Sequence, residues 1–180
     1  MDKNKVIKLS KLLSYVLRHK PAHLGIVLDE QGWTDTALLL EKIKTEMNGV
    51  DLEMLKYVVA NNDKKRFSFN DDLTRIRANQ GHSLGIDLAL QPIAPPGILF
   101  HGTATRFISS IMKDGLNKQS RQHVHLSDNY DTAFNVATRH GVPKILKVQA
   151  LKMHAEGHLF YLSDNKVWLT DHVPVKFIEE

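Results

Sequence analysis

Three of the chain's six prolines fall within seven residues, Gln91-Pro92-Ile93-Ala94-Pro95-Pro96-Gly97. Proline fixes φ and carries no backbone N–H, so this stretch resists both a helix interior and a central strand. It separates a first half patterned mainly for helices from a second half patterned mainly for short strands. We therefore expect two lobes, residues 1–80 and 98–180, joined by a linker at 81–97. At 180 residues and 42% hydrophobic content, each half has enough apolar material for its own core.

In the first half, Val6, Leu9, Leu12, Leu13, Val16 and Leu17 recur at helical spacing until Pro21 stops the pattern. That places Arg18 and His19 at a helix C-terminus, where a cation meets the negative end of the helix dipole. A short apolar run at 24–28 leads into the turn Asp29-Glu30-Gln31-Gly32, and a second helix starts near Thr34-Asp35 and runs through Leu38, Leu39 and Ile43. Asp51 caps a third helix at 52–61. Residues 66–69 and 73–77 alternate around the polar turn Asn70-Asp71-Asp72 as a hairpin. Three helices followed by a hairpin give a winged-helix outline, an architecture that serves nucleic-acid and protein contacts alike. Tyr15, Trp33 and Phe69 lie within apolar patterns and are expected in the core.

After the prolines come strand candidates at 98–101, 124–127, 144–150, 159–162, 167–170 and 175–178, with helices near 106–113 and 130–139. The whole is expected to be α+β, with a mixed α/β second lobe. Lys and Arg outnumber Asp and Glu by 24 to 20, a formal +4 that is compatible with a nucleic-acid partner without requiring one. Most of that excess lies before residue 80, whereas most of the histidines lie after it. With no cysteine, disulfides, thiolate nucleophiles and Cys-based zinc sites are excluded. No signal-peptide pattern or membrane-length apolar run is visible, so a cytoplasmic location is expected, and with no long heptad pattern a monomer is expected. A P-loop, a dinucleotide Gly-x-Gly-x-x-Gly turn and a nucleophile elbow are also missing, which removes ordinary kinase, dehydrogenase and serine hydrolase readings.

What remains is a series of basic and histidine-bearing islands. Arginine presents a planar fork of donors that matches phosphate oxygens, and histidine adds a donor or proton carrier near neutral pH. His101-Gly102-Thr103 ends an apolar strand, with a glycine that allows close approach of a ligand to the backbone and a threonine hydroxyl. His123 and His125 share one face of a predicted strand, with only Asp128 close by among acidic residues, a poor set for a metal and a better one for a polar pocket wall. Arg121 lies in a polar loop just before that strand, and Lys64-Lys65-Arg66 lies at the wing.

Taken in order, the islands Leu17-Arg18-His19, Asp63-Lys64-Lys65-Arg66-Phe67, Arg77-Ala78-Asn79-Gln80-Gly81-His82-Ser83, Leu99-Phe100-His101-Gly102-Thr103, Arg121-Gln122-His123-Val124-His125-Leu126-Ser127 and Arg139-His140-Gly141 resemble the NAD-dependent RNA 2′-phosphotransferases. The resemblance covers essentially the whole chain. It implies an N-terminal winged-helix lobe that binds RNA and a C-terminal ADP-ribosyltransferase-like lobe that binds NAD. By the same resemblance Arg18, His19, Arg66 and Arg121 form the catalytic set, and His101, Gly102, Thr103, His125, Ser127 and Arg139 contact NAD. The glutamate that many ADP-ribosyltransferases carry on a late strand is replaced here by Val167, the pattern of the phosphotransferase branch.

The resemblance further implies a metal-free reaction in two steps. An internal 2′-phosphate of RNA, such as that left by tRNA splicing, displaces nicotinamide from NAD. The phospho-ADP-ribosylated RNA then releases RNA with a free 2′-hydroxyl and ADP-ribose 1″,2″-cyclic phosphate. Two alternatives remain open on sequence alone, a transferase that leaves ADP-ribose on a terminal phosphate and a non-catalytic RNA or DNA binder that senses NAD.

Overall fold

The computed structural model describes residues 2–62 and 64–180. Asp63, part of the basic segment singled out above, lies outside the described residues. The chain divides into two compact units at Ala89/Leu90. Residues 81–89, assigned to the linker from sequence, run with the first unit: Asp87 donates its backbone N–H to the Glu30 carbonyl, and Ile86 and Leu88 are buried.

The first unit is built from α1 (Lys3–Arg18), β1 (Thr34–Asp35), α2 (Thr36–Glu46), α3 (Leu52–Ala60), β2 (Phe67–Phe69) and β3 (Arg75–Ala78). Each helix begins at an aspartate whose carboxylate accepts an N–H of the first turn: Asp2 from Asn4, Asp35 from Leu38 and Asp51 from Met54. Such caps satisfy donors that have no partner within the helix and place negative charge at the positive end of its dipole. The apolar face of α1, Leu9, Leu13, Val16 and Leu17, is buried against Leu39, Ile43, Leu55, Phe67 and Ile76. Its polypeptide leaves the helix at His19, whose N–H donates to the Tyr15 carbonyl.

The expected hairpin is present but joins a third strand. β3 lies between β2 and β1, with Phe67 opposite Ala78, Phe69 opposite Ile76, and Thr34 also opposite Ile76. The second hairpin strand starts at Arg75 rather than Leu73, because the Leu73 N–H donates to the Asn70 carbonyl, the Thr74 N–H donates to the Asp72 carboxylate, and Leu73 adopts a positive φ of 62°. Core placement of the aromatics holds for Phe69, which packs on the apolar cluster, but not for Tyr15, which is 40% exposed. Trp33 is half-buried and carries the Arg77 guanidinium 4.6 Å from its ring centroid.

The second unit contains β4 (Leu99–Ala104), α4 (Ile108–Asp114), β5 (Leu116–Asn117), β6 (Val124–Leu126), α5 (Tyr130–Ala137), β7 (Pro143–Val148), α6 (Ala150–Ala155), β8 (Tyr161–Leu162), β9 (Trp168–Thr170), β10 (His172–Val173) and β11 (Ile178–Glu179). Its sheets are small and antiparallel. β7 lies between β4 and β11, and β9 lies between β6 and β8. A single bridge, Phe100 to Ser127, ties β4 to the end of β6, and β5 pairs separately with β10. Leu99, Leu146, Val148, Met153, Phe160, Trp168 and Phe177 form the core.

Several expectations for this half change, and the strand expected at 159–162 covers only Tyr161–Leu162. The strand expected at 144–150 stops at Val148, because the Gln149 N–H donates to the Phe177 carbonyl and Ala150 opens α6. The strand expected at 175–178 is a 3-10 turn over Val175–Phe177 followed by β11. Val167 precedes β9 and sits in the turn between β8 and β9, its N–H bonded to the Ser163 hydroxyl. Among the described residues no helix is long and apolar enough to cross a membrane.

Gly102 is where α5 and β4 meet. A Cβ on Gly102 would stand 1.9 Å from the Ala133 carbonyl oxygen and 3.1 Å from the Ala137 nitrogen. The glycine therefore makes room for a helix backbone. Gly102→Ala must displace α5 to fit, and we expect a loss of about 1–3 kcal/mol or more in urea-denaturation free energy. A variant as stable as the wild type would show that α5 can move without cost.

Candidate functional site

In the first unit the candidate side chains sit where elements end. Arg18 is the last residue of α1, and its guanidinium carbon lies 5.9 Å from the centroid of the Phe67 ring, within reach of a cation–π contact. His19 follows it, with Nδ1 3.0 Å from the Ser83 hydroxyl. Ser83 also donates its backbone N–H to the Arg18 carbonyl at 3.0 Å. One residue thus touches both members of the Arg18-His19 pair.

Arg66 enters from the loop before β2. Its Nη1 donates to Asn62 Oδ1 at 3.1 Å, and the Asn62 amide donates in turn to the Ser10 hydroxyl. Asn79 holds the same loop from the other side, its N–H on the Arg66 carbonyl at 2.9 Å and its amide on the Lys65 carbonyl at 2.7 Å. Lys65 takes a positive φ of 40°, a conformation that these bonds secure. Asn62, Asn79 and Ser83 carried no role in the sequence reading. The only signal was that Asn79 and Ser83 lie in the Arg77–Ser83 island, because their partners are remote in the chain.

Behind this cationic group lies His82, 1% exposed, with neither ring nitrogen hydrogen-bonded to any described residue. Gly32 makes space for its ring, since a Cβ there would stand 3.3 Å from His82 Nε2. Burial, followed by repulsion from Arg18, His19 and Arg77, pushes its pKa down to about 4. His82 is therefore neutral at pH 7.

In the second unit His101, Arg121 and His125 form one linked group. His101 Nδ1 lies 3.1 Å from the His125 carbonyl, which can only accept, so Nδ1 carries the proton and Nε2 is an acceptor. Burial holds the His101 pKa below the usual imidazole value, with His140 and Arg121 acting in the same direction. Arg121 Nη1 lies 2.9 Å from His125 Nδ1, and because a guanidinium can only donate, His125 carries its proton on Nε2. Thr103 is buried on β4, two residues beyond His101 and so on the same face of the strand.

Ser127 has a structural part in the same unit. It exchanges backbone hydrogen bonds with Phe100, and its hydroxyl bonds the backbone of Asn129, the residue whose side chain caps α5. Arg139 lies just past the end of α5, exposed, its N–H on the Val136 carbonyl. His123 precedes β6 rather than lying within it. It rests against Tyr161 with Nε2 4.0 Å from Asp171 Oδ1, and burial lowers its pKa.

Residues 4–172 match the family described as RNA 2′-phosphotransferase, Tpt1 / KptA family. The chain belongs to this family. It is 52% identical over 179 residues to a protein of Flavobacterium johnsoniae, covering 99% of this chain and 98% of the relative. It is 51% identical over 174 residues to a protein of Fusobacterium nucleatum, covering 96% of this chain and 97% of the relative. A protein of Pseudomonas aeruginosa is 48% identical over 181 residues, covering 100% of each. All three bear the name "Probable RNA 2′-phosphotransferase". The family match spans every arginine and histidine described above.

The depressed pKa of His82 fixes the sign of a pH effect. Its neutral form is favoured by the fold, so its contribution is complete above the unfolded value near 6.5 and is lost as pH falls toward about 4. Between pH 7 and pH 5 this amounts to about 2 kcal/mol. Replacing His82 by Asn should narrow the stability gap between wild type and variant as pH drops over that interval, measured by urea denaturation. A constant gap would show that His82 takes up no proton on unfolding.

Proposed function

We propose that the protein transfers an internal RNA 2′-phosphate to NAD, with release of nicotinamide, RNA bearing a 2′-hydroxyl and ADP-ribose 1″,2″-cyclic phosphate. The observation that carries this reading is the family match from residue 4 to residue 172, which runs through all the cationic and histidine clusters. The first unit supports a winged-helix assignment through its three helices and three-stranded antiparallel sheet. The second unit is assigned to the ADP-ribosyltransferase-like class and to NAD.

The donor set in the second unit suits a ribose and pyrophosphate. His101 offers an acceptor at Nε2 for a ribose hydroxyl, His125 a donor at Nε2, and Thr103 a hydroxyl on the same strand as His101. NAD supplies the electrophilic ribose carbon and a neutral leaving group. The protein supplies alignment and compensation of charge, because RNA phosphate and pyrophosphate repel one another.

The family resemblance assigns both Arg66 and Arg121 to the RNA 2′-phosphate, whose oxygen forms a bond to the ribose carbon as the bond to nicotinamide breaks. In the second step the donor ribose 2″-hydroxyl attacks phosphorus and loses its proton to solvent water, and the phosphorus–oxygen bond to RNA O2′ breaks. Arg18, Arg66 and Arg121 stabilise the charge growing on the phosphoryl oxygens. His19 protonates the departing O2′, the general-acid role open to an imidazole. The RNA partner, a role in tRNA splicing, cytoplasmic location and a monomeric state belong to the same proposal.

The test is incubation with NAD and a short RNA bearing one internal 2′-phosphate, followed by mass spectrometry of RNA and small molecules. Dephosphorylated RNA together with the cyclic phosphate is expected. Stable ADP-ribosylated RNA would replace the two-step reading by a one-step transferase, and survival of both NAD and the 2′-phosphate would reject NAD-dependent turnover. Arg121→Ala should lower the second step by about a hundredfold or more and let phospho-ADP-ribosylated RNA accumulate. Unchanged product kinetics would remove Arg121 from the reaction.

A further inference from the structure

We propose that Ser83 is a positioning residue that sets the orientation and proton placement of the His19 imidazole, so that Nε2 is the nitrogen meeting the RNA phosphate. The inference deepens the reading of His19 given above and rests on it. Its basis is the pair of bonds that Ser83 makes, hydroxyl to His19 Nδ1 and backbone N–H to the Arg18 carbonyl, each at 3.0 Å. The second bond fixes the height of Ser83 against the last turn of α1. The first then fixes the rotation of the ring that follows.

The choice of a hydroxyl has a chemical consequence. A carbonyl or carboxylate partner would demand a proton on Nδ1 in every state, leaving neutral Nε2 as a bare acceptor, repelled by phosphate oxygens. A serine hydroxyl both donates and accepts. When His19 is neutral, the hydroxyl can donate to Nδ1 and Nε2–H faces the anion. When His19 is charged, Nδ1–H donates to the hydroxyl and Nε2–H still faces the anion. After Nε2 has given its proton to the departing oxygen, the hydroxyl still accepts from Nδ1–H, so the ring keeps its orientation through the proton transfer. The same unit shows what the fold does with an imidazole that is not held in this way: His82, the residue before Ser83, is buried and neutral near the charge of Arg18.

Ser83→Ala should lower kcat for the 2′-phosphorylated RNA about tenfold, the rate equivalent of one lost hydrogen bond to an ionisable group, with KM for NAD unchanged. Ser83→Thr, which keeps the hydroxyl, should restore most of that loss. In a His19→Ala background the serine change should cost nothing further. Separately from turnover, 15N imidazole spectra of His19 should show a shift of the neutral tautomer toward the Nδ1-protonated form in Ser83→Ala and not in Ser83→Thr. The spectra judge the positioning even where the wild type fails to consume NAD, an outcome that sinks the proposed reaction instead. An unmoved tautomer, full kcat in Ser83→Ala, or an additive loss in the double variant would overturn the assignment.

Discussion

The approach of α5 to β4 at Gly102 is the contact on which the second unit depends. With the Ala133 carbonyl 1.9 Å from where a Cβ would be, no other residue type leaves the helix in place. The consequence reaches both sides of the strand. On one face α5 is seated, its aromatic residue Tyr130 packed edge-on against Phe100. On the other face the alternation of the strand turns out His101 and Thr103, and the single bridge from Phe100 to Ser127 brings β6 and its His125 alongside. A residue without a side chain therefore determines where the side chains on either side of it point.

The first unit follows a different logic, in which a well-packed helix carries charge to its end. The apolar face of α1 is completely buried, so Arg18 and His19 are placed by the core beneath them. Cations at that end are favoured by the helix dipole, and Phe67 offers its ring to Arg18. Arg66 reaches the same end of the unit because the residue after it, Phe67, is core. Asn62 and Asn79 then hold the intervening loop by its side chain and its carbonyls.

Concentrating arginine and histidine in this way creates repulsion that the fold must absorb. One response is the suppression of charge on neighbouring imidazoles: His82 and His101 are both held below their ordinary pKa, with burial as the leading cause and nearby cations adding to it. The cationic field is thereby left to the arginines. That distribution suits an anionic partner, since each arginine remains charged at any physiological pH while the buried imidazoles do not compete for the phosphate.

Much of the architecture was legible in the sequence because it rests on short-range rules. The periodicity of Val6 to Leu17, the helix start near Asp35, the cap at Asp51 and the strand leading to His101 all act over a few residues. So did the residue types of the candidate site, since arginine and histidine announce oxyanion chemistry by their own donors. What local pattern could not supply was pairing across the chain. α6, the β5–β10 pair and β1 beside β3 depend on partners far away, and an apolar run such as 175–178 reads equally well as strand or turn until its neighbours are known. The tertiary structure alone decided that Ser83 meets His19 across 64 residues, that Gly102 serves a helix, and that His82 is buried without charge. Helical period and capping are properties of neighbouring residues, whereas proton placement and burial are properties of whatever the fold brings within a few ångströms.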